Sequence, residues 1–522
     1  MAPYDDNRLK DVLRQGYFDF YLDLDAELEP QDKALLTVMG GLDYSAFNKG
    51  MSRDPKVGAM EMCTMIVYCA MNGRHSSRAI ERLSRRDSFL LSLLGPGVHV
   101  DHTTVSRFMK CNGEAISGLL PQVAGKLHEM GEVKGETVFQ DGTKVESRAG
   151  RYTFVWKGAV EKNIEKAARH VEEDIRELEG LGVAADGDGP MEKAASILSG
   201  RRIDERLARP GKGKKADREM RALCDLRESF AKIRGYEEAA AMIGDKRKSM
   251  SKTDPDATFM RMKEDHMGNG QLKPAYNYQV ATDSGYIVGA TVSSDRADYR
   301  TCIPMMERLK ATLGWKYENY AADSGYDLTE NFRYLEREGI NAYIKPQDWE
   351  QARKRSYRKD IGRYENMAYD GEADTFTCAN GKRLAVTRTG VSGKKTYECV
   401  ESCHGCPLRE ACMKRSKKDR KTLECSHEHW RYREEARARL NTPEGIQMRL
   451  NRSIQAEGAF AQVKANRGFR RFLCFGMERG MTEWIIQCLA VNVIHLANRV
   501  FGDEPEEEPF WYVPPGGTGE AC

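Results

Sequence analysis

The sequence predicts an α/β protein, a mixed sheet flanked by helices, behind a helical N-terminal region. Three observations carry that prediction. Ala275 to Asp283 (A-Y-N-Y-Q-V-A-T-D) and Tyr286 to Val292 (Y-I-V-G-A-T-V) are strand-forming runs parted by Ser284-Gly285, the pattern of a tight hairpin. A strand at Tyr320 to Asp323, a helix at Leu328 to Arg337 and a strand at Asn341 to Ile344 then follow in βαβ order. Up to about Glu132 the periodicity is helical instead.

Within that first region, Met60 to Met71 is a strongly apolar run closed by Asn72-Gly73. Ser76 or Ser77 then offers an N-cap to a helix with Ile80 and Leu83 as its apolar stripe. After a Gly-Pro-Gly break at 95–97, Asp101 to Lys110 (D-H-T-T-V-S-R-F-M-K) reads as a helix with an Asp cap and an exposed Thr-Thr. Such a helix suits a DNA-facing surface and equally suits a packed helical hairpin.

Val138 and Phe139 make a short strand that Asp141-Gly142 is expected to end at a turn. From Tyr152 to about Lys252 the pattern is helical and polar, broken at Gly182 to Pro190 and at Pro210-Gly211, which predicts an inserted arm, partly mobile. Glu483 to Val500 reads as an apolar helix lying on the sheet, and the acids, prolines and glycines from Asp503 onward as a disordered tail. The predicted organisation is therefore a helical, DNA-binding region at 1–132 and the first part of the core at 133–345, with a charged insertion at about 160–252. A basic, cysteine-rich insertion at 346–440, the rest of the core at 441–500 and an acidic tail at 501–522 complete it.

Net charge is only +3, but 82 basic residues balance 79 acidic ones unevenly along the chain. Arg201 to Arg221 and Arg409 to Lys421 each carry a local excess of positive charge. Runs of this kind are commonly solvated faces; two of them, with an acidic tail, suit an anionic polymer as partner. The 14 cysteines do not form a disulfide framework in so long a chain. No signal peptide is legible and no apolar run is expected to span a membrane, so the expectation is a soluble, cytoplasmic protein with reduced thiols.

Four of the cysteines cluster: Cys399, Cys403, Cys406 and Cys412, in C-x3-C-x2-C-x5-C, with Cys378, Cys425, His427 and His429 nearby. Four thiolates can surround one soft ion, zinc being the ordinary occupant and an iron–sulfur cluster an alternative, against coincidence. Such a set fills the coordination sphere, so its role would be structural.

The stretch Asn451 to Arg471 (N-R-S-I-Q-A-E-G-A-F-A-Q-V-K-A-N-R-G-F-R-R) sets Glu457 at helical offsets from Ile454, Phe460, Ala461 and Lys464. A carboxylate on an apolar face needs a cation, a metal or hydrogen bonds. Lys464 could serve, which makes a partly buried ion pair the bland alternative. Asp141 and Asp323, each closing an expected strand, could join Glu457 only through the fold. Three acids suffice for two magnesium ions acting on a phosphodiester. By spacing alone, Asp283, Asp295, Asp298 and Asp327 compete equally with Asp323.

Four motifs in order resolve that competition. G-R-H-S-S-R-A-I-E-R-L with V-D-H-T-T-V-S-R-F, then Q-D-G-T-K-V-E-S-R-A-G-R-Y-T-F-V-W-K, then A-D-S-G-Y-D, then R-x4-E-x2-F-x3-K resemble a DDE transposase of the bacterial insertion-sequence type. The resemblance spans most of residues 20–500 and implies an RNase-H-like catalytic core. It implies that Asp141, Asp323 and Glu457 hold two Mg²⁺ (or Mn²⁺) ions. It also implies that Arg452, Lys464, Arg470 and Arg471 contact DNA phosphates, although an ordinary surface pair is the alternative for the last two. Y-N-Y-Q-V-A-T-D resembles the internal hairpin of the core, making Asp283 a strand-end residue and not a ligand. S-R-A-G-R-Y departs from the more Asn- and Ala-rich run of the family and removes no acid.

The implied partners are double-stranded DNA, as terminal inverted repeats and target, and further copies of the chain in a dimer or higher oligomer. The implied setting is the bacterial nucleoid. The rivals are a catalytically silent DNA-binding derivative, which an intact acid triad disfavours, and a metal-dependent nuclease without strand transfer.

Overall fold

The computed structural model describes residues 28–48, 56–95, 97–200, 218–262, 270–391 and 393–502. The expected tail and most of the Arg201 to Arg221 block lie outside those residues.

Seven helices form the N-terminal layer: α1 (Pro30–Met39), α2 (Ala59–Met71), α3 (Ser77–Ser84), α4 (Ser88–Leu94), α5 (His102–Cys111), α6 (Gly113–Ser117) and α7 (Leu119–Glu129). Capping explains where several begin. Ser76 accepts from the amide of Ala79 at the start of α3, Asp87 from Leu90 at α4, and Asp101 from Thr103 and Thr104 at α5. Helix α2 buries nine of its thirteen residues, which matches its apolar sequence.

The central sheet is built from β1 (Thr137–Glu146), β4 (Thr258–Arg261), β5 (Leu272–Asp283), β6 (Tyr286–Ser293), β7 (Asn319–Ala322) and β8 (Asn341–Ile344). β1 pairs antiparallel with β5 on one side and parallel with β7 on the other, and β7 pairs parallel with β8. The far edge of β5 is shared between β4 and β6. Ser284 and Gly285 turn the β5–β6 hairpin with φ of 53° and 85°, the left-handed pair that a two-residue hairpin loop requires. Helix α11 (Cys302–Thr312) precedes β7, and α12 (Thr329–Glu338) makes the β7–β8 crossover.

Asp141-Gly142 does not end a strand. β1 continues to Glu146 because β5 supplies an antiparallel partner for every residue from Phe139 to Glu146. Only the parallel ladder stops there, at Gln140 with Ala322.

Between β2 (Phe154–Trp156) and β3 (Ser249–Ser251), helices α8 (Lys157–Gly180), α9 (Pro190–Gly200) and α10 (Arg218–Ile243) form the arm. Val171, Ile175 and Leu178 of α8 meet Leu223, Leu226 and Ile233 of α10, so the described part of the arm has its own apolar seam. Residues 368–425 form a second antiparallel sheet, β9 (Ala368–Asp370), β10 (Thr375–Thr377), β11 (Arg383–Thr389), β12 (Lys395–Cys399) and β13 (Thr422–Cys425). Short polar strands give little periodicity, so this sheet leaves no signal in the sequence. Helix α13 (His427–Leu440) returns to the core: Asp327, buried, accepts from His429 at 2.7 Å and from Arg433 at 2.7 Å.

Helix α14 (Pro443–Arg452) leads through π-turns (Ser453–Glu457 and Gln462–Asn466) and one α-turn (Gly458–Ala461) to a loop, then α15 (Met477–Leu496). Helix α15 lies between the sheet and the N-terminal layer. Asn492 both accepts from and donates to the backbone of Ile287 in β6, at 2.7 and 2.8 Å. The expectation that no apolar segment reaches membrane-spanning length is corrected here. Met477–Phe501 is long and apolar enough by length and composition, with mean hydropathy 1.3, and two thirds of that window is buried in the protein. An all-round apolar helix is what a core position between two layers demands.

Candidate active site

β1 and β7 leave the parallel ladder together, and Asp141 and Asp323 are the next residue on each. The Asp141 side chain is only 7% exposed; its Oδ1 accepts from the amide of Gly142 at 2.7 Å. Asp323 caps the 3₁₀ turn Ser324–Tyr326, accepting from Gly325 at 2.7 Å. Each carboxylate is thus fixed by the backbone just beyond it.

Glu457 reaches the same place from the C-terminal helix. Arg452 lies 3.4 Å from Asp141 Oδ2 through one guanidinium nitrogen and 3.4 Å from Glu457 Oε1 through another. The face assigned to Glu457 from helical offsets is corrected: its side chain is 60% exposed. Ile454 and Ala461, at offsets −3 and +4, are exposed as well, so the face they share with Glu457 points to solvent while Phe460 turns to the core. Lys464, expected as the partner of Glu457, donates instead to the carbonyl of Lys144 at 2.8 Å.

A fourth acid stands beside the two aspartates. Asp298 accepts from Asn277 at 2.7 Å and from Gln279 at 2.8 Å, side chains of β5. A Cβ at Gly142 would come within 2.5 Å of Asp298 Oδ1, and one at Gly325 within 3.4 Å of Asp298 Oδ2 and 2.9 Å of Asp323 Oδ1. Glycine directly after Asp141, and two residues after Asp323, therefore admits Asp298 between the two turns. The hydroxyl of buried Tyr326 is held far above its usual range by burial and then by Asp298, Asp141 and Asp323 together, which places one negative field there. Spacing made Asp298 a rival to Asp323; the structure sets it beside Asp323, not in its place.

The other competitors have different work. Asp283 accepts from the amide of Gly135 and the hydroxyl of Ser284, both at 2.8 Å, and burial pushes its carboxyl up to about 6. It closes the end of β5. Asp327 holds α13, as described above.

Arg470 is exposed. Arg471 donates to the carbonyls of Ser147, Arg148 and Ala149 at 2.7 to 3.0 Å, so its guanidinium clamps the end of β1.

In the second sheet, Cys399, Cys403, Cys406 and Cys412 line one cavity of about 20 Å³, and Cys378 completes its wall. That is room for a particle the size of one water molecule. Burial and then the neighbouring thiols Cys403 and Cys378 raise Cys399 to about 11, and the amide of Lys421 donates to Cys403 Sγ at 3.4 Å. Cys425, His427 and His429 stand elsewhere: His427 meets the Tyr397 hydroxyl and His429 holds Asp327. Among the described residues no group of three or more His, Cys, Asp or Glu side chains is arranged to hold a metal ion. The donor sets nevertheless suit cations in kind: thiols facing one small cavity, and carboxylates that already share a positive group, Arg452.

Residues 377–497 match the family model described as "Transposase DDE domain". The match takes in the cysteine cluster, Arg452, Glu457, Lys464, Arg470 and Arg471, and leaves Asp141 and Asp323 outside it. No curated protein and no solved structure matches the chain. Over residues 377–497 the chain is similar to the DNA-processing domain of DDE transposases.

Proposed function

We propose that the chain is an insertion-sequence transposase with an RNase-H-like core, which binds the terminal repeats of its own element and cuts and joins DNA there. What supports this is that Asp141 and Asp323 follow the same rung of two adjacent parallel strands, while Arg452 links Asp141 to Glu457. The order β6-β5-β1-β7-β8, antiparallel in its first three strands and parallel in its last two pairings, supports the RNase-H-like assignment.

Asp141, Asp323 and Glu457 would hold two divalent ions, whose chemistry is to activate the attacking oxygen and stabilise the leaving one. Magnesium keeps several waters and needs few carboxylates, which this set provides. The chain's own contribution is positional. Backbone amides of Gly142 and Gly325 fix the two aspartates, Asn277 and Gln279 fix Asp298 beside them, and Arg452 draws Glu457 toward Asp141. Exposure leaves Glu457 free to move onto a ligand, as a residue joining the site late would need. The five thiols around the small cavity suit zinc as a structural ion.

The test is Mg²⁺- or Mn²⁺-dependent cleavage of DNA bearing the element's own terminal repeats, with Glu457→Gln beside it. End-specific nicking that disappears in the variant supports the proposal. Cleavage that persists in the variant removes Glu457 from the site, and binding without cleavage in both favours a silent DNA-binding protein.

A further inference from the structure

β1 leads from the acids to a second feature that the catalytic proposal does not use. The C-terminal helix runs alongside this strand: Arg452 ties Glu457 to Asp141, Lys464 meets the Lys144 carbonyl, and Arg471 bridges to Glu146. The spacings agree, since seven helical residues and three strand residues each advance roughly 10 Å. At the far end of this track opens a cleft of about 650 Å³. Its walls come from α3, α5, the end of β1, the loop at 471–474 and α15.

The charge of this cleft is one-sided. Arg78, Lys110, Arg148, Arg471 and Arg479 line it, together with the hydroxyl side chains of Ser76, Ser77 and Ser106. Glu483 is the one acid among the lining residues; it is 5% exposed, and burial raises its carboxyl toward the neutral form. Arg471 is locked by three carbonyls and Arg148 donates to the carbonyl of Leu473 at 2.7 Å, so two of the charges are held in place. Of the aromatic rings in the lining, Phe472 is 1% exposed, and His75 is held half-buried between the Arg467 carbonyl and Gln487 and against Phe469, so neither is set out as a platform for a base. Fixed cations and hydroxyls without stacking surfaces recognise a phosphate backbone, not base edges.

We propose that this cleft seats the phosphate backbone of duplex DNA to one side of the cut, gripped jointly by the N-terminal helices and the core. The inference rests on the acids being the cutting site. Five strand residues separate Asp141 from Glu146, roughly 17 Å at about 3.4 Å each. Backbone phosphates advance about 3.4 Å per nucleotide along one strand, so the seated phosphates lie roughly five nucleotides from the scissile one.

The experiment compares the wild-type chain with the double variant Arg78→Ala, Lys110→Ala on a duplex of about 40 base pairs, titrating potassium chloride. Each phosphate contact contributes about 0.9 to the slope of log affinity against log salt, so the double variant is expected to be shallower by about 2. Circular dichroism checks that it is folded. A control pair outside the cleft, Lys310→Ala with Arg337→Ala, is expected to keep the wild-type slope. An unchanged slope in the double variant, or an equal loss in the control, overturns the inference, as does a wild-type chain that binds no duplex. Failure of the catalytic proposal looks different: the slopes behave as expected, but no metal-dependent cleavage of terminal-repeat DNA occurs.

Discussion

Asp141 and Asp323 stand one residue beyond the same rung of two parallel strands, the pair Gln140 with Ala322. Neighbouring strands lie about 4.8 Å apart, so their carboxylates leave the sheet close enough to repel. Such a pair is destabilising in itself and useful where cations are to be held. Asp141→Asn and Asp323→Asn are each expected to lower metal-dependent cleavage by about 10³-fold, the effect of losing several kcal/mol of charge stabilisation. Thermal unfolding should show no loss of melting temperature, because the repulsion is relieved. A variant that keeps its cleavage rate would exclude that aspartate from the site.

Arg452 touches both Asp141 and Glu457, so its removal acts on the acids and not only on DNA. Groups that orient metal ligands typically cost about 10- to 100-fold when lost. Arg452→Ala is expected to lower cleavage by that factor at saturating DNA, and to raise the metal concentration needed for half-maximal rate. Lysine keeps the charge but cannot present two nitrogens to two carboxylates, so Arg452→Lys should restore only part of the loss. A change in DNA affinity alone, with normal metal dependence, would make Arg452 a phosphate contact as the sequence implied.

The sequence and the structure part company in an orderly way. The β5–β6 hairpin and the β7–α12–β8 crossover were legible because turn residues and strand composition are local signals. The course of β1 through Asp141-Gly142 was not, since a turn-forming pair is overridden by a ready partner, β5. Helical offsets grouped Glu457 with Ile454 and Ala461 correctly, but the apolar character of that face did not mean burial, since all three are exposed. Asp298 and Cys378 join their clusters only through tertiary contacts, and Arg452 was read as a DNA contact before its two acids were in view.

Asp283 supplies a prediction for pH. Its folded carboxyl is raised from 3.8 to about 6, by burial first, against the hydrogen bonds from Gly135 and Ser284. A folded value above the unfolded one means that the folded state holds its proton more tightly. The associated stability is fully present below the unfolded value near 4 and is lost as pH rises through about 6. Asp283→Asn should abolish this component, since the amide oxygen can accept from Gly135 and the amide nitrogen can donate to Ser284. Urea unfolding at pH 4 and pH 7 should show wild type losing on the order of 3 kcal/mol relative to the variant. Parallel pH profiles for the two proteins would refute the raised value.

The thiol cavity gives the last prediction. Burial first, and then neighbouring thiols, raise Cys399 to about 11, and burial raises Cys412 as well, so these two become ligands only where a metal compensates for their charge. The amide of Lys421 aimed at Cys403 Sγ is the kind of donor that stabilises a ligating thiolate. The purified chain is therefore expected to carry one zinc ion, measured by elemental analysis, and to release it only slowly to a chelator. Cys399→Ser or Cys403→Ser should remove the zinc and loosen the sheet from β9 to β13, seen as faster amide exchange there, while the β1–β5 pairing keeps its protection. Cys425→Ser, whose thiol lies outside the cavity, should retain the metal. Zinc retained by Cys399→Ser and Cys403→Ser alike would leave the cluster as five reduced thiols with no ion to hold.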